Sequence, residues 1–555
     1  MSTGEKLTYE RAGRREAPSP RPWWQDAIFY AVDVPTFRDA NGDGVGDFPG
    51  LTASLDYLAW LGVDALWLLP FFPSQQRDNG YDITDHFGVD PALGTITDFV
   101  TFIREAEDHG IRVVLDLVVN HTSDQHPWFQ AARRRPDSEA HGYYVWTNDP
   151  SHEIEQDLVF PGMQSSVWTY APDAGAYYFH HFYEFEPDLN TAHPVVQAEI
   201  RNIIEFWLRM GVDGFRVDAA PFLGSDLRGD PATTHSFLRK MREWGEERNP
   251  EAVWIAEADM PAPDLDAYFG DGREMDMLFN FLLNQYLYLA LADESAEPIR
   301  SALKIIPPAP PAGQWLNFAR NLDELSLAHL ELEERERVFA AFAPEPMMRI
   351  YGRGIRRRLT PMLGYDRRRL ELFNSLLFSL PGTPVIVYGD EIGIGEDLLL
   401  PERFPVRTPM QWDSKQPNSG FSDADPRQLI RPIAKGKPDG APAIGVADQR
   451  SDETSLLNWM RQLIVTRKAW SAIGLARPST LDTGNPAVLA LCWEGDEESV
   501  ITVHNMSARP QEVTLPTPRE DPSGRFGART ELASKDGTMT CRMDAFGYQW
   551  IRFDT

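Results

Sequence analysis

The sequence predicts an α/β chain built as a (β/α)8 TIM barrel, with a lid subdomain inserted after strand three and an antiparallel β-sandwich at the C-terminus. Short β-branched and apolar runs alternate with helix-period segments from Ala27 to about Val387, the signature of parallel βα units. Eight such runs can be counted, which is the number that closes a barrel. Between the third and fourth, residues 120–194 are too many for one βα connection and are rich in aromatic, Pro, Asp and His residues.

Taken in order, the strands are AIFYAVDV from Ala27, ALWLLP from Ala65, RVVLDLVV from Arg112, GFRVDA from Gly214, AVWIAEAD from Ala252, MDMLFNF from Met275, QWLNFARN from Gln314 and PVIVYGDE from Pro384. Helical patterns such as LTASLDYLAWLG from Leu51 and VVQAEIRNIIEFWLRMG from Val195 sit between them. A helix over Leu456 to Ser471 completes the barrel, and alternating apolar patterns with Gly and Pro turns follow. The expected organisation is an N-terminal tail (1–22), the barrel (23–474) carrying the lid (120–194), and the β-sandwich (475–555). IIPPAPPAG, before Gln314, reads as a proline-rich spacer.

Composition narrows the partners. A formal charge of -30 over 555 residues disfavours nucleic acid and anionic membranes, which need a basic face, but is indifferent to a neutral small molecule. The first twenty residues have no apolar h-region and no stretch reaches a membrane-spanning length, so a cytoplasmic location is the default expectation. Cys492 and Cys541 alone cannot make a disulfide framework, and two buried, inert thiols are expected. Oligomeric state is not legible.

In such a barrel the chemistry sits at the C-terminal ends of the strands. Asp218 ends the fourth run, Glu257 the fifth, and Asp323 follows the seventh. Each lies in or beside an apolar run, where an ionised group is costly without compensation. Arg216, two residues before Asp218, shares its face and can hold that carboxylate ionised. Retaining glycoside hydrolysis needs this kit: an ionised nucleophile, a protonated acid and a charge stabiliser for an oxocarbenium-like transition state.

These residues resemble the α-amylase family of glycoside hydrolases. DLVVNH (Asp116 to His121), GFRVDA, Glu257 in WIAEAD and Asp323 in RNLDE match its ordered signature segments, and GYD (Gly80 to Asp82), EPDLN (Glu186 to Asn190) and PVIVYGDE match further ones. The resemblance implies Asp218 as nucleophile, Glu257 as acid/base and Asp323 as transition-state stabiliser, with Tyr81, Asp82, His121 and Arg216 around the sugar. A narrower resemblance, to trehalose synthases that interconvert maltose and trehalose, rests on Gly354 to Leu372, Phe160 to Tyr170, Asp266 to Gly272 and VRTPMQW from Val406. It implies that Arg407 shapes the acceptor side. RGIRRRL could equally be a solvated helix face.

The loop DANGDGVGD sets Asp39, Asn41 and Asp43 at alternate positions, and with the Val45 carbonyl and Asp47 it could bind a structural calcium or magnesium ion, as the resemblance also implies. A turn held by Asx hydrogen bonds alone is the alternative. No organic cofactor is expected. The functional readings are intramolecular transglucosylation, retaining α-glucosidase action on another small α-glucoside, or carbohydrate binding without catalysis. Two departures from the family pattern bear on the choice: Leu322 stands where it has His before the stabilising Asp, and Glu186 where trehalose synthases have Gln.

Overall fold

The computed structural model describes residues 21–150, 158–224, 231–435 and 445–554, the last stretch without residues 476, 520, 528, 529 and 536. The expected N-terminal tail lies outside the described residues except for Arg21 and Pro22.

Eight parallel strands close into a barrel in sequence order. They are β1 (Phe29–Val32), β2 (Ala65–Leu68), β3 (Arg112–Leu117), β4 (Gly214–Val217), β5 (Val253–Ala256), β6 (Met277–Phe279), β7 (Gln314–Phe318) and β8 (Thr383–Val387). The ring is sealed where Phe29 of β1 pairs with Val385 of β8. β1, β2, β4 and β5 are buried at every position, because the barrel interior covers one face and the helices the other, which is why these segments read as continuous apolar runs.

Around the strands lie α1 (Ile96–Asp108), α2 (Pro194–Arg209), α3 (Pro231–Glu246), α4 (Phe281–Ala292), α5 (Arg367–Ser379) and α6 (Leu456–Ala469). A capping box of Thr95 and Asp98 starts α1, and Ser455 caps α6. The helix expected from Leu51 divides into two short ones, Phe48–Thr52 and Leu55–Leu61. The second ends at Gly62 (φ 99°), where a Cβ would lie 2.8 Å from Ile464 of α6, so only glycine suits this turn.

Between β3 and α2 the chain forms a helix, Pro127–Arg134, and a three-stranded antiparallel sheet of Trp146–Thr147, Ala176–Phe179 and Trp168–Ala171. A small aromatic cluster joins this insert to the segment after β7: Phe160 lies 4.6 Å from Tyr183 and 4.7 Å from Tyr351, ring to ring. The basic run beginning at Arg353 is not a solvated helix face. Arg353 donates to the Val159 carbonyl at 2.7 Å, Arg357 pairs with Glu396 at 2.7 Å, and fully buried Arg358 donates to the Tyr388 carbonyl at 2.6 Å.

After α6, a five-stranded and a three-stranded antiparallel sheet enclose their own core, which holds both free cysteines, Cys492 and Cys541. Burial pushes these thiols up to about 11 and about 12, so they are un-ionised at neutral pH. Strand Val488–Glu494 splits by period two: Val488, Ala490 and Cys492 enter the sandwich core, while Leu489, Leu491 and Trp493 join the barrel core. Hydrogen bonds from Trp550 to Ser375 (2.9 Å) and Tyr548 to Glu371 (2.8 Å) fasten the sandwich to α5.

Candidate active site

Alternation along β4 puts Arg216 and Asp218 on one face, and the geometry follows. Arg216 Nη1 lies 2.5 Å from Asp218 Oδ1 and 2.6 Å from Asp116 Oδ1 of β3, while Nη2 lies 2.8 Å from Glu257 Oε1, just past β5. One guanidinium therefore holds three carboxylates from three adjacent strands. Asp116 is fixed in turn by Tyr81 Oη and Trp67 Nε1, each at 3.2 Å. Ala219, directly after Asp218, has φ 49° and ψ 38°, a left-handed conformation unusual for a residue with a Cβ. In that conformation its N–H donates to Glu257 Oε2 at 3.1 Å.

Three different environments act on the three candidate carboxyls. Burial pushes Asp218 up to about 6, against the pull of Arg216. Burial likewise pushes Glu257 up to about 7, again opposed by Arg216, with the Asp218 charge adding to the rise. Burial acts on Asp323 too, but Arg403, Arg407 and Arg216 outweigh it and hold that group below the usual carboxylate range. Arg407 Nη2 lies 3.0 Å and Arg403 Nη1 3.2 Å from Asp323 Oδ1. Just above pH 6, Asp218 is mostly ionised, Glu257 mostly protonated, and Asp323 fully charged.

These carboxyls line a cavity of about 280 Å³, at the small end of small-molecule sites. Phe160, Phe182 and Phe222 form apolar walls, and Asp78 paired with Arg403 provides a charged one. His121 also lines it; burial lowers the proton affinity of its ring, against the charges of Asp188 and Asp78. A larger cavity, about 450 Å³, lies beside the proline-rich loop and the start of β7, and no carboxylate lines it.

Of the residues singled out in the sequence, Asp218, Glu257, Asp323, Tyr81 and His121 line the smaller cavity. Arg216, Asp82, Arg407 and Leu322 stand behind that wall. Asp82 accepts from Ser74 Oγ at 2.7 Å, and Arg407 Nε donates to the Leu322 carbonyl at 2.9 Å. The Leu322 side chain is 1% exposed and belongs to the barrel core. Sequence reasoning passed over Asp116, Asp78 and Arg403. Asp116 could have been found by its place on β3 within DLVVNH; Asp78 and Arg403 are 325 positions apart and only the fold pairs them.

In the loop from Asp39 to Asp47, backbone N–H groups supply hydrogen bonds to the side chains. Asp39 accepts from Asn41, Gly42 and Gly44 (2.7 to 3.0 Å), Asn41 from Asp43 (2.9 Å), Asp43 from Val45 (2.9 Å) and Asp47 from Gly50 (2.7 Å). Among the described residues no three His, Cys, Asp or Glu side chains converge as a metal-binding group. The loop's donors are all oxygens, the chemistry that hard divalent cations take. Among the described residues no helix is long and apolar enough to cross a membrane.

The family model for the α-amylase catalytic domain matches residues 34–307 and 355–474. The chain is 42% identical over 518 residues to the trehalose synthase/amylase TreS of Mycolicibacterium smegmatis, covering 90% of this chain and 87% of the relative. It is 41% identical over 512 residues to the trehalose synthase of Pimelobacter sp., covering 89% and 88%. Among solved structures, a MutB mutant in complex with the substrate sucrose superposes with a TM-score of 0.77 at 25% identity, covering 97% of this chain and all of that one.

Proposed function

The chain belongs to the α-amylase family, and from that premise we propose that it is a retaining transglucosylase which interconverts maltose and trehalose. The observation that carries the mechanism is Arg216 holding Asp218 and Glu257 on one guanidinium while their proton affinities stay in the order nucleophile below acid. Asp218 attacks the anomeric carbon of the terminal glucosyl unit as Glu257 gives its proton to the departing glycosidic oxygen. Asp323, charged and fixed by two arginines, stabilises the oxocarbenium-like transition state. The released glucose turns within the pocket, and its anomeric hydroxyl attacks the glucosyl–Asp218 ester while Glu257 takes back the proton.

The Asp78–Arg403 pair lines the cavity beside Asp323, where its charged groups can hydrogen-bond the hydroxyls of a terminal sugar. The Phe160–Tyr183–Tyr351 cluster supports the insert as a lid that keeps water from the ester. Retaining hydrolysis of another small α-glucoside is the second reading, since it uses the same Asp218, Glu257 and Asp323 and differs only in the acceptor. For the loop from Asp39 to Asp47 we propose a structural calcium or magnesium ion, held by Asp39, Asn41, Asp43, Asp47 and the Val45 carbonyl and taking no part in catalysis.

Incubation of the pure protein with maltose, trehalose and sucrose, followed by chromatography of the products, tests the reading. Trehalose from maltose and the reverse, with little free glucose, supports it. Glucose alone from maltose moves the assignment to hydrolysis, and turnover of none of the three rejects both.

A further inference from the structure

Two residues beyond Glu257, Asp259 also lines the catalytic cavity, and Ala258 between them is fully buried. A second carboxylate therefore follows the acid whose proton goes to the departing oxygen. Both of its oxygens are braced from one other segment, the stretch after β7. His329 Nε2 lies 2.7 Å from Asp259 Oδ1, and Ser326 Oγ donates to Oδ2 at 3.1 Å. The partners are 70 and 67 positions away, so only the closed barrel joins them. His329 is seated in turn, since its backbone N–H donates to Oε1 of the wholly buried Gln285 on α4 at 2.9 Å. A carboxylate offers about four lone-pair positions, and these two bonds fill one on each oxygen. The Asp259 side chain is 29% exposed where it lines the cavity, so the remaining position on each oxygen is open to a ligand. Two acceptors side by side match a pair of neighbouring hydroxyls, the feature common to sugars.

Resting on the reading of this cavity as a sugar site, we propose that Asp259 binds two neighbouring hydroxyls of the sugar on the leaving-group side, and that His329 is the positioning residue which holds the carboxylate in the orientation to do so. The leaving group is then a second sugar and not an apolar aglycone, which would desolvate Asp259 and offer it no donor. The same grip retains the released glucose against exchange with solvent. The Asp259 bond raises the proton affinity of the His329 ring above the ordinary histidine range, with burial opposing it, so the donor stays on Nε2.

The test compares kcat/KM for maltose with kcat/KM for α-glucosyl fluoride, whose leaving group carries no hydroxyl, in the full-length wild type, His329→Gln and His329→Met. A general loss of structure lowers both values together and cancels in their ratio. His329→Met, of similar size but unable to donate, should lower the maltose-to-fluoride ratio about tenfold or more, as loss of a hydrogen bond to a charged group requires. His329→Gln, whose amide N–H can replace Nε2–H, should keep the ratio within about threefold of wild type. An unchanged ratio in His329→Met overturns the proposal, and so does an equal fall in both variants, since a space-filling role would make them alike. Should His329→Met fail to fold, Ser326→Ala removes the neutral bond to the other oxygen and should lower the ratio about threefold; no change there overturns the proposal. A wild type that hydrolyses maltose without forming trehalose rejects the transfer reading alone, because the ratio still decides the role of His329. A wild type that turns over the fluoride but not maltose overturns the proposal and leaves the glucoside chemistry standing, and one that turns over neither rejects both.

Discussion

Moving the pH through the values of Asp218 and Glu257 should switch the enzyme off at both ends. Asp218 must be ionised, so activity rises as pH passes about 6; Glu257 must be protonated, so activity falls as pH passes about 7. With these two values, the fraction in the competent state is 1/(1 + 10^(6−pH) + 10^(pH−7)), which peaks near pH 6.5 at about 0.6. It falls to about 0.09 at pH 5 and about 0.03 at pH 8.5, so rates there should be about 15% and 5% of the maximum. Because both carboxyls share Arg216, the two limbs are apparent values of the pair. The assay is initial rate against pH for an α-glucoside with a poor leaving group, which needs the proton of Glu257, followed through the first turnover so that only formation of the glucosyl-enzyme is read. Glu257→Gln should remove the alkaline limb and keep the acid limb, and should slow a poor leaving group by about 10² to 10⁴ more than a good one. An alkaline limb unchanged in that variant, or a wild-type rate flat to pH 9, would refute the assignment of Glu257 as the acid.

Asp218→Asn should abolish turnover, and a mechanism-based fluorosugar should label Asp218 in the wild type; mass spectrometry that finds the label elsewhere rejects it as nucleophile. Leu322→His should destabilise by about 2 to 5 kcal/mol, since a buried leucine is lost and an imidazole nitrogen is left unpaired in the barrel core. Denaturant melts read this directly, and a variant as stable as wild type that turns over maltose faster would show that the side chain reaches the sugar after all. Chelation should lower the melting temperature through the loop from Asp39 to Asp47, because a cation bound only by the folded state stabilises it. Elemental analysis finding no divalent ion, with identical melting in chelator and in added calcium, removes that site.

The barrel was legible in the sequence because strand and helix periodicities are local properties. The Asp218, Glu257 and Asp323 positions were legible because a parallel barrel delivers the residue after each strand to one rim. Spacing of two along β4 even gave the Arg216–Asp218 pair. Charge balance was not legible, because it depends on which groups from distant segments share one low-dielectric space. Asp116 of β3 turns out to share the Arg216 guanidinium, and Arg403 pairs with Asp78, 325 positions away in the chain. The same limit explains Leu322: its neighbours in sequence, Asn321 and Asp323, face the cavity, but the turn after β7 rotates its side chain into the core. Covalent order fixes which residues follow which strand; proton affinity and side-chain direction arise only when separate segments exclude water together.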